Sequence, residues 1–208
     1  MRTLVVGFEP WDGMRRNPSG EVARALGGVV LPVRYDRAER AFRAALRERR
    51  PAALLLLGLA PARRTLSLEA VALNVDHHEG RRWRRWRRPI RRGGPMILEA
   101  RAPLDRLHRA LRAARVPVSL SYHAGTFTCN HVFYRALDET RVPCVFLHLP
   151  PAGRVPLRAQ LRAVRLVAAE LERAAVTGPR RGGSAPTRDR RGRPRAGRNG
   201  GGYASRRG

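Results

Sequence analysis

Short runs of apolar residues alternate with segments of helical periodicity along most of the chain. Mostly apolar runs at residues 3–8, 53–57 and 144–149 predict buried strands. Between them, apolar residues spaced three or four positions apart predict helices with one buried face. Alternation of strands and helices is typical of helices packed on a largely parallel sheet. The pattern therefore predicts an α/β fold.

Turn, cap and breaker residues give the remaining elements. Two further strands are expected at residues 71–75 and 116–122. One helix is expected to follow Ser19 as its N-cap, and a second to begin at Asp36, where Glu39 completes a capping-box-like pair. Three more helices are expected at residues 104–114, 130–137 and 156–175.

The composition changes near Val176. Residues 178–208 are mostly Gly, Arg, Pro and Ser, with almost no apolar side chain to offset the entropy of ordering. We therefore expect a single folded domain at residues 1–177 and a disordered Arg/Gly-rich tail at residues 178–208.

The formal net charge is +27, and all 43 basic residues are Arg, which indicates compositional bias as well as selection for Arg. The charge concentrates in the tail and in residues 81–92, where Arg is interleaved with Trp. Because Arg contacts phosphates and Trp stacks on bases, the main alternative to an enzyme is a nonspecific nucleic-acid binder. That alternative does not explain the cysteine, histidine and glutamate motifs described below.

Cysteine usage and the length of the apolar runs constrain the setting. Only Cys129 and Cys144 occur, no leader-like segment is present, and the longest apolar run falls short of the about 20 residues that cross a bilayer. We expect a cytoplasmic protein without a membrane partner. The sequence leaves the oligomeric state open, and a homo-oligomer is one option.

Cys129 stands where a reactive thiol is favoured. It follows a turn that contains Gly125 and precedes a helical pattern, and the unpaired N–H groups of a helix N-terminus stabilise a thiolate. The alternative is a small buried side chain, which free cysteines commonly are. Cys144 fits that alternative better, because it begins a continuous apolar strand in which burial would raise the pKa of its thiol.

A cysteine nucleophile needs a base and a group that orients the base. His148 lies at the end of a predicted core strand, where parallel sheets gather functional groups. His131 is expected on a different helix face from Cys129 and is interpreted either as structural or as a residue that supports the site indirectly. His123, beside the turn, is kept as a second candidate base. Glu69, just before the strand expected at residues 71–75, is one of several acids that can serve as the orienting group.

Motifs for metal or nucleotide binding are incomplete. His77, His78 and Glu79 are adjacent but lack a metal-site spacing such as His-Glu-x-x-His. The glycine-bearing segment at residues 7–13 matches neither a dinucleotide fingerprint nor a phosphate loop. We therefore expect no metal and no organic cofactor.

Several segments of the domain resemble one known family. Residues 7–11 and 17–19, GFEPW and NPS, are similar to its opening GFEPFGG…NPS, and residues 68–75, LEAVALNV, are similar to its PERVAINV. Residues 124–134, AGTFTCNHVFY, resemble AGTFVCNHVMY around its nucleophile, and residues 146–150, FLHLP, resemble FIHVP, which holds its histidine. The family is pyroglutamyl peptidase I, whose members are cysteine peptidases that remove N-terminal pyroglutamate.

The resemblance implies a three-layer α/β/α sandwich and a triad of Cys129, His148 and Glu69. It also implies thiolate attack on the amide after pyroglutamate, an acyl-enzyme, and N-terminally pyroglutamylated peptides as substrates, without a cofactor. In the family, aromatic residues of the opening loop and the residues before the cysteine line the lactam pocket, an apolar clamp suited to a flat, uncharged ring. These positions correspond to Phe8, Trp11, Phe127 and Thr128.

Two departures from the family bear on specificity. Leu59 replaces a polar residue of the substrate region, since the family's GQAGGR is GLAPAR at residues 58–63. The family's DARIPDNEG is contracted to DHHEG at residues 76–80, which removes an arginine near the active site that Arg81 or Arg82 would have to replace. An apolar contact separates similar ligands by only about 1 to 3 kcal/mol. A further alternative is therefore a same-fold hydrolase with altered specificity or lost activity.

Overall fold

The computed structural model describes residues 2–77 and 87–177. The chain from Met1 to Gly178 forms one compact unit. Within the described ranges, no helix is both long enough and apolar enough to span a bilayer. The expectations for the tail and for most of the Arg/Trp segment concern residues outside these ranges and stay predictions.

A six-stranded sheet forms the centre of this unit, in the order β2-β1-β3-β10-β4-β9. All neighbouring pairs in it are parallel except β10 with β4. The prediction of a largely parallel sheet is therefore confirmed, with β4 and β9 running against the other four strands. In chain order, the strands of the described residues are β1 (Thr3–Phe8), β2 (Val29–Leu31), β3 (Ala53–Leu59), β4 (Leu66–Glu69), β5 (Val71–Leu73), β6 (Asp76–His77), β7 (Arg87–Arg88), β8 (Ile97–Glu99), β9 (Val118–Ser121) and β10 (Cys144–Leu149).

Helices cover both faces of the sheet, which is why β3 and β10 consist almost entirely of apolar residues. Alternate strand residues face two separate cores: Val145 and Leu147 of β10 face one, and Phe146 faces the other. The first core is closed by α1, α3 and α5 and the second by α2 and α4, which gives three layers. The helices are α1 (Pro18–Ala25), α2 (Tyr35–Arg49), α3 (Leu104–Ala113), α4 (Thr128–Glu139) and α5 (Leu157–Thr177).

The first two helices do not begin as the sequence predicts. Asn17, not Ser19, caps α1: its Oδ1 accepts the Ser19 N–H at 3.0 Å, and Pro18 occupies the first helical position. The second helix begins at Tyr35 without a side-chain cap, and Glu39 contacts α4 instead. Both cap predictions are wrong because spacing alone does not reveal which polar side chains find partners elsewhere in the fold.

The strand expected at residues 71–75 is shorter and lies outside the main sheet. It ends at Leu73 and pairs with β8. The Asn130 side chain of α4 holds this segment: Oδ1 accepts the Leu73 N–H at 2.8 Å, and Nδ2 donates to the carbonyls of Leu73 at 2.9 Å and Val75 at 3.0 Å. The start of α4 is thereby fixed to the chain that leads into β6.

Candidate active site

A pocket of about 800 Å³ lies at the carboxyl ends of β1, β3 and β10, beside the N-terminus of α4. Open α/β sheets commonly bind ligands at this position. The pocket brings together all the expected site residues except Glu69, which is fully buried and contacts His148. The expected residues in its lining are Phe8, Trp11, Leu59, Phe127, Thr128, Cys129 and His148.

Cys129 is the second residue of α4 and is partly exposed. Its sulfur packs closely against β3, since a Cβ at Gly58 would lie 2.8 Å from Cys129 Sγ and 2.7 Å from Cζ of Phe146. Glycine is therefore the residue that fits at position 58. Gly58 is also the parallel strand partner of His148. The thiol thus packs from the start of α4 against β3, beside the strand end that carries His148.

His148 and Glu69 form a buried hydrogen-bonded pair. Nδ1 of His148 lies 2.7 Å from Oε1 of Glu69. Glu69 stands opposite Phe146 in the antiparallel pair of β4 and β10, so its carboxylate reaches His148 diagonally on the same face. The expected position of Glu69 outside a strand is wrong, because it is the last residue of β4. When Nδ1 donates to the carboxylate, the basic lone pair of the imidazole lies on Nε2.

Arg63 also belongs to this site, and the sequence analysis missed it. Its Nη1 donates to Oε1 of Glu69 at 2.6 Å, and its Nη2 donates to Oγ of Ser121 at 3.2 Å and to the carbonyl of His123 at 3.1 Å. Arg63 is the arginine that ends the stretch compared above with GQAGGR. That match is the sequence signal for a role of Arg63 in the site.

Burial and neighbouring charges set the protonation of the three groups. Burial would raise the pKa of Glu69, but the hydrogen bond and charge of His148, with smaller contributions that include Arg63, outweigh it and lower that pKa. Burial lowers the pKa of His148 despite the opposing effect of Glu69. Burial, followed by the charge of Glu69, raises the pKa of the Cys129 thiol to about 12. The resting site therefore holds a thiol, a neutral imidazole and a carboxylate.

His131 has a structural environment, in agreement with its interpretation from the sequence. Its Nδ1 lies 2.9 Å from both carboxylate oxygens of Asp76, and its Nε2 lies 2.9 Å from Oε2 of Glu39. The ring also packs on Tyr35, with 5.4 Å between centroids. Because carboxylates engage both ring nitrogens, His131 joins α2, β6 and α4 and has no nitrogen left to serve a thiol.

His123, the second candidate base, lies on the pocket wall, whereas Cys144 lies in the core. His123 is exposed on the pocket wall, where its Nδ1 accepts the N–H of Gly125 at 3.0 Å. Its side chain makes no ion pair with a carboxylate in the described part of the chain, so nothing there orients it as Glu69 orients His148. Cys144 is fully buried, and burial raises the pKa of its thiol to about 12, as expected for a structural cysteine.

The pocket lining divides into a buried inner wall and an exposed outer wall. Phe8 and Leu59 are 2% and 9% exposed, respectively, and belong to the inner wall. Phe127 is 51% exposed, and its ring lies 5.0 Å from the ring of His77. Trp11 is half-buried on the opening loop. An apolar inner wall with aromatic rings at the mouth suits a small, flat, uncharged group.

Some sequence-level questions fall outside the described residues. His78, Glu79, Arg81 and Arg82 are among residues 78–86, so the contracted loop and its replacement arginine stay predictions. In the two described ranges, no group of three or more His, Cys, Asp or Glu side chains is arranged to hold a metal ion.

Comparisons with known proteins show that this chain is similar to one family. The family model for pyroglutamyl peptidase matches residues 1–156. A pyrrolidone-carboxylate peptidase of Gloeobacter violaceus is 35% identical over 182 residues, which cover 77% of this chain and 89% of the relative. One of Klebsiella pneumoniae is 34% identical over 164 residues, covering 71% of this chain and 77% of the relative.

Solved structures show the same relationship. The pyrrolidone carboxyl peptidase of Thermus thermophilus has a TM-score of 0.74 and 36% identity, covering 81% of this chain and 99% of its own. The pyroglutamyl peptidase I of Bacillus amyloliquefaciens has a TM-score of 0.74 and 26% identity, covering 84% and 94%. The chain therefore belongs to the pyroglutamyl peptidase family of cysteine peptidases.

Proposed function

We propose that this protein hydrolyses the amide bond after an N-terminal pyroglutamyl residue, with Cys129 as nucleophile, His148 as base and Glu69 as the group that orients the base. The observation that carries the proposal is the 2.7 Å contact between His148 and Glu69 beside the pocket that Cys129 lines. Family membership supports the peptidase activity, and the names of the relatives supply the substrate class.

The first half of the reaction forms a thioester. Nε2 of His148 takes the Cys129 proton as the sulfur attacks the carbonyl carbon of the pyroglutamyl residue. Glu69 stabilises the imidazolium that forms. The carbonyl oxygen gains negative charge beside the N-terminus of α4, where backbone N–H groups and the helix dipole favour it. The imidazolium then protonates the departing amine, and the C–N bond breaks.

The second half restores the enzyme. A water molecule gives a proton to Nε2 of His148 and attacks the thioester carbonyl carbon. The C–S bond breaks, the sulfur recovers the proton from His148, and free pyroglutamate leaves. Protons and electron pairs balance over the cycle without a metal, an oxidant or a reductant. A base that is neutral at rest suits both steps, which agrees with the lowered pKa of His148.

The pocket lining supports a lactam substrate. A pyroglutamyl ring is flat and has no charged amino group, so it can be buried against Phe8 and Leu59 without an ionic partner. The exposed ring of Phe127 can cover its open side. Leu59 offers no hydrogen bond to the ring, so discrimination against similar apolar rings is expected to be modest.

The test is hydrolysis of a pyroglutamyl fluorogenic amide under reducing conditions by the wild type and Cys129→Ala, with Cys144→Ala as the matched control. We expect Cys129→Ala to lose at least about 10⁴-fold in kcat, and Cys144→Ala to retain turnover in its folded fraction. Equal turnover by the wild type and Cys129→Ala would exclude Cys129 as the nucleophile. Turnover of uncapped aminoacyl amides would support altered specificity instead.

The nucleic-acid alternative separates from this proposal by thiol chemistry. Alkylation of Cys129 is expected to abolish peptidase turnover and to leave salt-dependent RNA binding unchanged, because phosphate contacts involve arginines and not the thiol. Removal of residues 178–208 is expected to do the reverse. A protein that binds RNA but turns over no amide would favour the alternative.

A further inference from the structure

Arg63 makes contacts that the three proposed catalytic groups do not explain. Oε1 of Glu69 accepts from Nη1 of Arg63 at 2.6 Å and from Nδ1 of His148 at 2.7 Å, so two donors share one oxygen. The Glu69 side chain is fully buried, whereas that of Arg63 is 28% exposed and lines the pocket. The guanidinium thus connects a buried carboxylate to the substrate side of the site.

The backbone around Arg63 is anchored to the same strand end as His148. The Arg63 N–H donates to the carbonyl of Ala60 at 3.0 Å, and the Ala60 N–H donates to the carbonyl of Leu149 at 2.9 Å. Leu149 directly follows His148 at the end of β10. The turn that carries Arg63 is therefore held in register with the base.

The second nitrogen of the fork fixes the guanidinium plane. Nη2 donates to Oγ of Ser121, the last residue of β9, and to the carbonyl of His123 in the turn that leads to Cys129. A planar fork with several donors is a rigid way to hold a carboxylate in one orientation. Arg63 consequently connects the ends of β4 and β9 with the turn before the nucleophile.

Charge gives Arg63 a second effect. A buried carboxylate is costly unless it is paired, and Arg63 supplies a cation that stays when His148 is neutral. The same cation lies close enough to His148 to oppose its protonation, and it contributes to the lowered pKa of that imidazole. Loss of the cation would make His148 easier to protonate.

We propose that Arg63 is a positioning residue of this site, which holds Glu69 in the orientation that directs the His148 imidazole toward Cys129. The inference rests on the proposed function for its kinetic consequences, and on the geometry and charge of Arg63 for its effect on His148. Arg63 acts through Glu69 and not by binding the substrate.

The kinetic test compares Arg63→Met and Arg63→Lys with Arg64→Met, which removes a neighbouring exposed arginine. Arg63→Met is expected to lower kcat by roughly 10- to 100-fold with little change in KM, since misplaced catalytic groups cost about that much. It is also expected to move the acid limb of kcat/KM to higher pH. Arg63→Lys should return the acid limb to its wild-type position with part of the lost kcat, and Arg64→Met should match the wild type.

The second measurement needs no turnover: titration of the His148 imidazole by NMR in the same full-length proteins. We expect a higher His148 pKa in Arg63→Met than in the wild type and Arg64→Met. If Arg63→Met does not fold, Arg63→Gln, which keeps hydrogen-bond donors but not the charge, is expected to show the same shift. Absence of pyroglutamyl turnover in the wild type would overturn the proposed function but not this prediction.

Three outcomes would overturn the inference. A rise in KM at unchanged kcat would show that Arg63 binds substrate directly. Unchanged kcat with an unchanged acid limb would show that Glu69 keeps its position without Arg63. Equal His148 pKa values in the wild type and in whichever neutral variant folds would show that the guanidinium does not act on the base.

Discussion

Cys129 and Cys144 are one residue type in two environments, and burial raises the pKa of both thiols to about 12. Cys144 begins β10 and is fully buried in the core. Cys129 lies at a helix N-terminus, partly exposed to a pocket that His148 also lines. The resting pKa therefore does not distinguish the proposed nucleophile from the buried core thiol. Access to a base and to a pocket does.

His131 and His148 differ in the same way, in what surrounds them and not in residue type. His131 and His148 are both buried and both contact carboxylates. Carboxylates engage both ring nitrogens of His131, whereas Glu69 engages only Nδ1 of His148. A base needs one oriented nitrogen and one that can accept a proton. The arrangement around His148 meets this requirement and that around His131 does not.

The largest expected effect is the difference in kcat between the alanine variants of the two histidines. His148→Ala should lose at least about 10⁴-fold in kcat while remaining folded. His131→Ala should keep kcat in its folded fraction. Its free energy of unfolding should fall by about 1 to 3 kcal/mol, because Asp76 and Glu39 lose a partner. Steady-state kinetics and urea unfolding measure the two effects. Comparable losses of kcat in both variants would contradict the assignment.

The carboxylates give the next largest effect. Glu69→Gln keeps the shape of the side chain but not its charge, so it neither stabilises the imidazolium nor selects the tautomer, and kcat should fall by about 10³- to 10⁴-fold. Glu39→Gln, at the carboxylate that contacts His131, is the matched control and should change kcat by less than about threefold, a small effect on the scale of catalytic losses. Equal kcat values in Glu69→Gln and Glu39→Gln would show that the charge of Glu69 is not needed for catalysis.

The contact between the sulfur and β3 gives a smaller effect. Gly58→Ala places a methyl group 2.8 Å from Cys129 Sγ and 2.7 Å from the Phe146 ring, so we expect a destabilisation of about 1 to 3 kcal/mol together with a loss of kcat. Gly153→Ala is the control, since apart from Gly153 and its two chain neighbours no atom of the described residues lies within 4 Å of a Cβ there. Thermal unfolding and kinetics test the pair, and wild-type behaviour of Gly58→Ala would show that the thiol can move freely.

The pH dependence gives the smallest expected effect. His148 must be neutral to act as a base, and its pKa is lowered by burial. The acid limb of kcat/KM should therefore lie below the ordinary imidazole pKa of about 6.5. In the unfolded chain, His148 binds a proton at its ordinary pKa of about 6.5, more readily than in the folded protein. The contribution of His148 to the free energy of unfolding is therefore present above about pH 6.5 and is lost as the pH falls. An acid limb above 6.5 would contradict a neutral, buried base.

Much of the fold follows from the sequence because its strongest signals are local. β1, β3 and β10 are almost entirely apolar, which is typical of strands covered on both faces. Short strands such as β4 do not stand out, since Ser67 and Glu69 alternate with Leu66 and Leu68 and resemble a solvent-facing segment. Only the pairing of β4 with β10 makes Glu69 a buried residue.

The candidate site is predictable in its residue types but not in its connections. Cys129 is marked by the turn and helix around it, and His148 by the end of a core strand. No local signal shows that Arg63 and His148 share one oxygen of Glu69, because His148 is 79 residues from Glu69 and their contact depends on strand order. Likewise, Glu39 reads as a helix cap because its contact with His131 spans two elements.

Trapping the acyl-enzyme on Cys129 tests the proposed nucleophile most directly. A pyroglutamyl ester or amide would be mixed with the wild-type protein, quenched in acid and digested, and the peptides analysed by mass spectrometry. We expect a pyroglutamyl thioester on the peptide that contains Cys129, none on the peptide that contains Cys144, and none anywhere in Cys129→Ala. Substrate turnover without an adduct on Cys129, and with undiminished rate in Cys129→Ala, would contradict this expectation.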